Sequence, residues 1–129
     1  MKYALQVNTS PYASHAGLAA YRFADAALAA GHTLLRIFFY QEGIYHALAH
    51  ALPPDDEINL PALWSELAAR YGIDLVVCIS AAQRRGLLCD DEARRQGLAD
   101  NDLAAGFRIA GLGQWLEASL TADRCIVFG

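Results

Sequence analysis

Short apolar segments alternate with longer amphipathic segments along this chain, in the order typical of an α/β domain with a parallel sheet. The run from Thr33 to Tyr40 is nearly continuous in apolar residues, which is typical of a strand covered on both faces. Strands are predicted at Tyr3–Val7, Thr33–Tyr40, Asp74–Ile79, Phe107–Ala110 and Arg124–Phe128.

The segments between these runs have helical spacing of their apolar residues. Gly31 ends the first of them, an Ala-rich stretch, and Asn101–Asp102 marks an irregular stretch late in the chain. Helices are predicted at Ala16–Ala30, Ile44–Ala51, Leu60–Arg70, in short pieces up to Arg95, and at Leu112–Leu120. We therefore expect one α/β domain over residues 1–129, with three layers, a mostly parallel sheet of about four or five strands, and helices on both faces.

Composition narrows the class of protein. The chain has 129 residues, of which 55% are hydrophobic and 19% charged, so one domain with a substantial core is expected. The net charge of −4 argues against a broad nucleic-acid surface. No signal peptide or membrane segment is recognisable, and three cysteines without a CxxC pair suit neither a disulfide framework nor a zinc site. A reduced, cytoplasmic location is the simplest expectation.

Cys78 is the strongest candidate for chemistry. It ends the apolar run that begins at Leu75, and a short basic helix, Ser80–Gly86, follows at once. Chemistry in open α/β sheets collects at the carboxyl ends of strands, and the start of a helix favours thiolate over thiol. Arg84 and Arg85, expected on the first helical turn or just past it, could stabilise that thiolate. We expect a nucleophilic thiol at the surface of the sheet rim, with a buried structural thiol as the alternative.

Right-handed crossovers place the loops 8–15 and 41–45 on the same rim of the sheet as Cys78. Tyr40 and Tyr45 are therefore candidate residues of a docking rim, with packing on the sheet edge as an equal alternative.

The other cysteines and the histidines have simpler interpretations. Cys125 is predicted to be a small core residue, and Cys89 a partly exposed residue where a loop meets a helix. His46 and His50 are four residues apart and could share a metal ion, but no third ligand is predictable, so a surface or capping role is favoured for both. We expect no metal and no cofactor.

Several separated motifs, in the same order along the chain, resemble the DsrE/TusD family of sulfur-relay proteins. The segment Val77–Gly86 is similar to the family's active-cysteine motif, and Cys78 matches the active cysteine. Phe38–Tyr45 resembles the family's aromatic strand end and the loop after it. Phe107–Gln114 resembles its late segment, and Ala122–Arg124 with Val127–Phe128 its closing strand. The resemblance runs nearly from end to end.

The resemblance implies a sulfurtransferase that relays sulfur as a cysteine persulfide on Cys78. It also implies a heterohexamer with homologous small subunits, either TusB/TusC-like or DsrF/DsrH-like. The donor would be a TusA-like carrier, and the acceptor a TusE-like or DsrC-like protein. TusD-like members serve 2-thiolation of the wobble uridine in tRNA, whereas DsrE-like members serve sulfur oxidation. A scaffold subunit without catalysis and a flavodoxin-like binding module remain alternatives, although no phosphate loop is present.

Overall fold

The computed structural model describes residues 1–98 and 102–129. Its centre is a five-stranded sheet in the order β4-β3-β2-β1-β5, and every neighbouring pair is parallel. The strands are β1 (Lys2–Val7), β2 (Thr33–Phe39), β3 (Leu75–Cys78), β4 (Phe107–Ala110) and β5 (Arg124–Phe128). The α-helices are α1 (Ala16–Ala29), α2 (Leu60–Tyr71), α3 (Ile79–Arg84), α4 (Asp90–Arg95) and α5 (Gly113–Thr121), and a 3₁₀ helix spans Gln41–Ala47.

Two neighbouring residues of β2 show that the domain has three layers. Successive side chains on a strand point to opposite faces of the sheet. The ring of Phe39 packs edge-on against Trp64 of α2, with centroids 5.4 Å apart, whereas Phe38 packs against Trp115 of α5 at 6.1 Å. Helices therefore cover both faces, and the predicted α/β architecture is confirmed.

Local sequence explains where α2 begins and ends. The side chain of Asn59 accepts a hydrogen bond from the backbone N–H of Ala62 at 3.2 Å, and Pro61 occupies the first turn, where its missing N–H costs nothing. Gly72 ends the helix with a φ of 69°, a conformation that glycine adopts without strain. This places the fully buried Trp64 over β2.

A charged cluster fixes α5 to the opposite face of the sheet. Asp74 accepts hydrogen bonds from Arg36 at 2.6 Å and from Arg108 at 2.7 and 2.8 Å, and Arg108 also donates to Gln114 of α5 at 2.9 Å. The hydrogen bonds from Arg108, followed by the one from Arg36, lower the pKa of Asp74 although its partial burial opposes them.

The predicted helix at Ile44–Ala51 is displaced and of a different type, because the 3₁₀ helix already begins at Gln41. Gly43 permits this early start, since a Cβ built there would lie 2.0 Å from the carbonyl oxygen of Val7. The irregular stretch predicted at Asn101–Asp102 begins outside the described residues. Among the described residues, no helix combines the length and the apolar character needed to cross a membrane.

Candidate active site around Cys78

Cys78 lies where β3 ends and α3 begins, as its sequence context predicted. It is the last residue of β3 and the N-cap of α3, with an extended backbone (φ −64°, ψ 123°). In the sheet it pairs with Ala110 of β4. On the other side Val77 pairs with Phe39, so Tyr40 follows β2 at the level of Cys78. The thiol therefore stands at the carboxyl edge of the sheet, between two other strands.

The expectation of a surface thiol is wrong for this structure, because Cys78 is only 1% exposed. The 3₁₀ helix packs against both β3 and α3, so the strand end is covered from that side. The Sγ atom lies 3.5 Å from the hydroxyl oxygen of Ser80, which is itself exposed. Ser80 thus stands between the buried sulfur and solvent.

A small polar pocket of about 140 Å³ opens on the outer side of Ser80. The end of β2 and the 3₁₀ helix form one wall, and α3 forms the other. The pocket is lined by Tyr40, Gln41, Ser80, Ala81, Arg84 and Arg85. Ser80, whose hydroxyl oxygen lies 3.5 Å from the Cys78 sulfur, is part of its lining.

The two arginines lie at the far end of α3, just past its first turn, since the helix has only six residues. Arg84 is the last residue of this six-residue helix and Arg85 is its C-cap, which puts them about 9 Å along the axis from Cys78. Arg85 donates to Glu42 at 2.6 and 3.0 Å and to the carbonyl of Ala81 at 3.0 Å. Its charge is therefore compensated by Glu42, and no described residue pairs with Arg84 in the same way.

The structure separates the two tyrosines predicted as a docking rim. Tyr40 is half-buried, lines the pocket and packs its ring 6.3 Å from that of Phe38. Tyr45 is also half-buried but does not line this pocket, although both tyrosines pack against the hydrophobic core. The loop 8–15 follows β1, and β2 lies between β1 and β3 in the sheet. A hydrogen bond between Thr9 and His46 joins this loop to the 3₁₀ helix.

His46 is buried in the core, so the predicted surface or capping role is wrong for it. The indole N–H of Trp64 donates to Nδ1 at 3.0 Å, and Nε2 then donates to the carbonyl oxygen of Thr9 at 3.0 Å. Burial lowers the pKa of His46 to about 4, so the ring is neutral at pH 7. Gly17 packs against the ring so closely that a Cβ there would lie 2.6 Å from Cε1. The partners that hold the ring in the core, Trp64 and Thr9, lie far from His46 in the sequence, so no local pattern indicated this burial.

His50, unlike the buried His46, is exposed, and its Nε2 atom lies 3.6 Å from a carboxylate oxygen of Asp102. No group of three or more metal-ligating side chains occurs among residues 1–98 and 102–129.

The other two cysteines lie in different surroundings. Cys89 is the N-cap of α4 and is partly exposed, as predicted. Cys125 is exposed, so its predicted place in the core is wrong. The reason is that β5 is an edge strand, where alternation alone does not ensure that a side chain is covered.

Comparisons with known proteins agree with this architecture. A sequence profile of the DsrE/DsrF-like family matches residues 1–128. A Pseudomonas aeruginosa protein named as a sulfurtransferase TusD homolog is 47% identical over 129 residues, which is 100% of this chain and 98% of that protein. A protein of Allochromatium vinosum named DsrE is 46% identical over 129 residues, 100% of this chain and 99% of its own.

A crystal structure of the ychN protein from E. coli has the same fold. Its TM-score is 0.80 at 20% sequence identity, and the match covers 99% of both chains. The profile match and the two full-length relatives lead to one conclusion: the chain belongs to the DsrE/DsrF-like family.

Proposed function

We propose that this protein is a sulfurtransferase that carries sulfur as a persulfide on Cys78. Full-length relatives are named as sulfurtransferases. The observation that carries the assignment to this residue is its position: Cys78 ends a central strand at the edge of the sheet, directly before α3 and next to a polar pocket. The first N–H groups of a helix have no partner within it and can face an anion.

The proposed reaction is an exchange between sulfur atoms. The Cys78 thiolate attacks the terminal sulfur of a protein persulfide, R–S–SH. The sulfur–sulfur bond of the donor breaks, a new one forms at Cys78, the proton stays on the transferred sulfur, and the donor leaves as the thiolate R–S⁻. An acceptor thiolate then attacks the outer sulfur of Cys78–S–SH in the same manner. Each step has equal numbers of bonds formed and broken and needs no cofactor.

Within this function we propose a TusD-like role in the 2-thiolation of the wobble uridine of tRNA, with a TusA-like donor and a TusE-like acceptor. The alternative is a DsrE-like role in sulfur oxidation with a DsrC-like acceptor, which the similarity to the A. vinosum protein favours. The identities of 47% and 46% are too close to separate the two pathways.

The low exposure of Cys78 favours a second candidate, a scaffold subunit without catalysis in which this thiol only fills the core. Incubation with a persulfidated donor protein distinguishes the two. The sulfurtransferase should gain one sulfur atom, roughly 32 Da that a reductant removes, by the thiolate attack described above.

Cys78→Ser should abolish this mass gain, whereas Cys89→Ser and Cys125→Ser should both retain it. The two control variants keep Cys78 and remove the thiols of α4 and β5. Sulfur uptake by the Cys78→Ser protein at the wild-type rate would refute the assignment, and the absence of uptake in every protein would favour the scaffold.

We also propose that the protein works in a hetero-oligomer with TusB/TusC-like or DsrF/DsrH-like subunits. Three leucines, one helical turn apart along α5 and its N-cap, support this: Leu112, Leu116 and Leu120 are 52%, 58% and 79% exposed. Large exposed apolar patches mark sites of protein association. Light scattering of the protein co-expressed with such subunits should show a species well above 14.0 kDa, and a monomer alone would contradict the proposal.

A further inference from the structure

The burial of Cys78 conflicts with a reaction between two proteins. A donor must bring its own sulfur into bonding contact with Sγ, yet Cys78 is 1% exposed. If the function proposed above is correct, part of the cover must move during each transfer. The elements packed against the end of β3 include α3 and the 3₁₀ helix, here called the cover, and α3 and the beginning of the 3₁₀ helix also line the pocket at Ser80.

The far part of the 3₁₀ helix is firmly held. Gly43 packs directly on the carbonyl of Val7. His46 is hydrogen-bonded on both ring nitrogens, to Trp64 and to Thr9. Movement of the cover is therefore expected at the beginning of the helix or in α3 rather than at Gly43–Ala47.

The beginning of the 3₁₀ helix differs in two respects. Gln41 has a φ of 51°, the left-handed conformation that a residue with a side chain adopts only at a cost. Glu42, the next residue, is 55% exposed, and its carboxylate receives the two hydrogen bonds from Arg85. This ion pair joins the 3₁₀ helix to the end of α3, and its Arg85 also lines the pocket.

We propose that the Glu42–Arg85 ion pair is a latch that controls access to Cys78. When it is closed, it holds the start of the 3₁₀ helix against α3 and keeps the sulfur covered. When it opens, the strained backbone at Gln41 and the short helix α3 separate, and a partner's sulfur reaches Sγ through the pocket. An ion pair near the surface suits such a device, because water and salt weaken it and it contributes little to overall stability.

The test uses a protein in which Cys89→Ser and Cys125→Ser leave Cys78 as the only thiol. The rate of alkylation by iodoacetamide is measured at a pH where the thiol is fully ionised, so that access and not ionisation limits it. Glu42→Gln, Arg85→Gln and the double variant should each react about fivefold faster, the change expected when a surface ion pair of about 1 kcal/mol is lost. Glu92→Gln is the matched control, since Glu92 accepts from Arg95 at 2.8 Å on α4.

The direction of the Arg85→Gln result decides between a latch and a direct charge effect. If Arg85 acted through its charge on the thiolate, Arg85→Gln would react no faster than the wild type at this pH, where the thiol is already ionised, and that result would overturn the latch. Equal rates in all variants, or an equal increase in Glu92→Gln, would overturn it too. The thermal unfolding temperature of the latch variants should change little, because a surface ion pair contributes little to overall stability. A general loss of structure would instead accelerate alkylation of the control as well.

Persulfide loading of the same proteins keeps this inference separate from the proposed function. Loading of Cys78 without any alkylation difference would refute the latch and leave the sulfurtransferase intact. Faster alkylation of both latch variants without loading in any of them would establish the latch and refute the sulfurtransferase.

Discussion

Cys78 and Cys89 have nearly the same local structure but very different surroundings. Each is the N-cap of a six-residue helix, and each has an extended backbone, with φ values of −64° and −69°. Cys78, however, continues a buried strand and is covered by the 3₁₀ helix, whereas Cys89 follows a loop and is partly exposed. A helix start alone therefore does not distinguish the two thiols.

The charges of the two first turns differ as well. The first turn of α3 contains no acidic residue, whereas that of α4 is Asp90, Asp91 and Glu92. Acidic side chains stabilise the start of a helix but disfavour a neighbouring thiolate. Cys78 therefore combines a place at the sheet edge with a first turn that holds no carboxylate, and its proposed role as the sulfur carrier rests on these two features.

The largest expected effect is a loss of stability in acid, and it concerns the surroundings that set Cys78 apart from Cys89. His46 anchors the cover of Cys78, and its pKa is lowered from 6.5 to about 4 by burial. The unfolded chain therefore binds a proton below pH 6.5 that the folded chain does not bind until about pH 4. The free energy of unfolding should fall by about 3 kcal/mol as the pH falls across this window, at 1.36 kcal/mol per pKa unit. Urea denaturation at pH 7 and pH 4 measures it.

Two controls assign this pH dependence to His46. His46→Gln should be less stable at pH 7 but should lose much less stability on acidification, because its amide can keep both hydrogen bonds without titrating. His50→Gln should behave like the wild type, since His50 is exposed. The pKa of Asp74 is lowered from its ordinary value of 3.8, so its contribution is lost mainly below pH 4 and adds little to the change between pH 7 and pH 4. The same acid sensitivity in His46→Gln would contradict the assignment.

The sequence predicted the strands, the α/β class and the position of Cys78, because each depends on local apolar patterns and on chain order. It failed where the outcome depends on contacts between distant segments. The burial of His46 requires Trp64 and Thr9, and the exposure of Cys125 follows from the place of β5 at the edge of the sheet. The ion pair between Glu42 and Arg85 joins residues 43 positions apart, which no spacing rule reveals.

A smaller effect is expected when the first turn of α3 is made acidic, as the first turn of α4 is. In Ser80→Asp, a carboxylate replaces the hydroxyl that lies 3.5 Å from the Cys78 sulfur. Two like charges about 4 Å apart near a protein surface repel by up to ~4 kcal/mol before screening, so the initial rate of persulfide uptake should fall at least about tenfold. Ser80→Asn, of nearly the same shape as Ser80→Asp and without charge, should keep most of the wild-type rate.

The rate of persulfide uptake is followed by intact mass, with thermal unfolding measured in parallel. An equal loss in both variants would show that shape rather than charge matters at this position. Undiminished uptake in Ser80→Asp would mean that the carboxylates of α4 do not explain why Cys89 differs from Cys78.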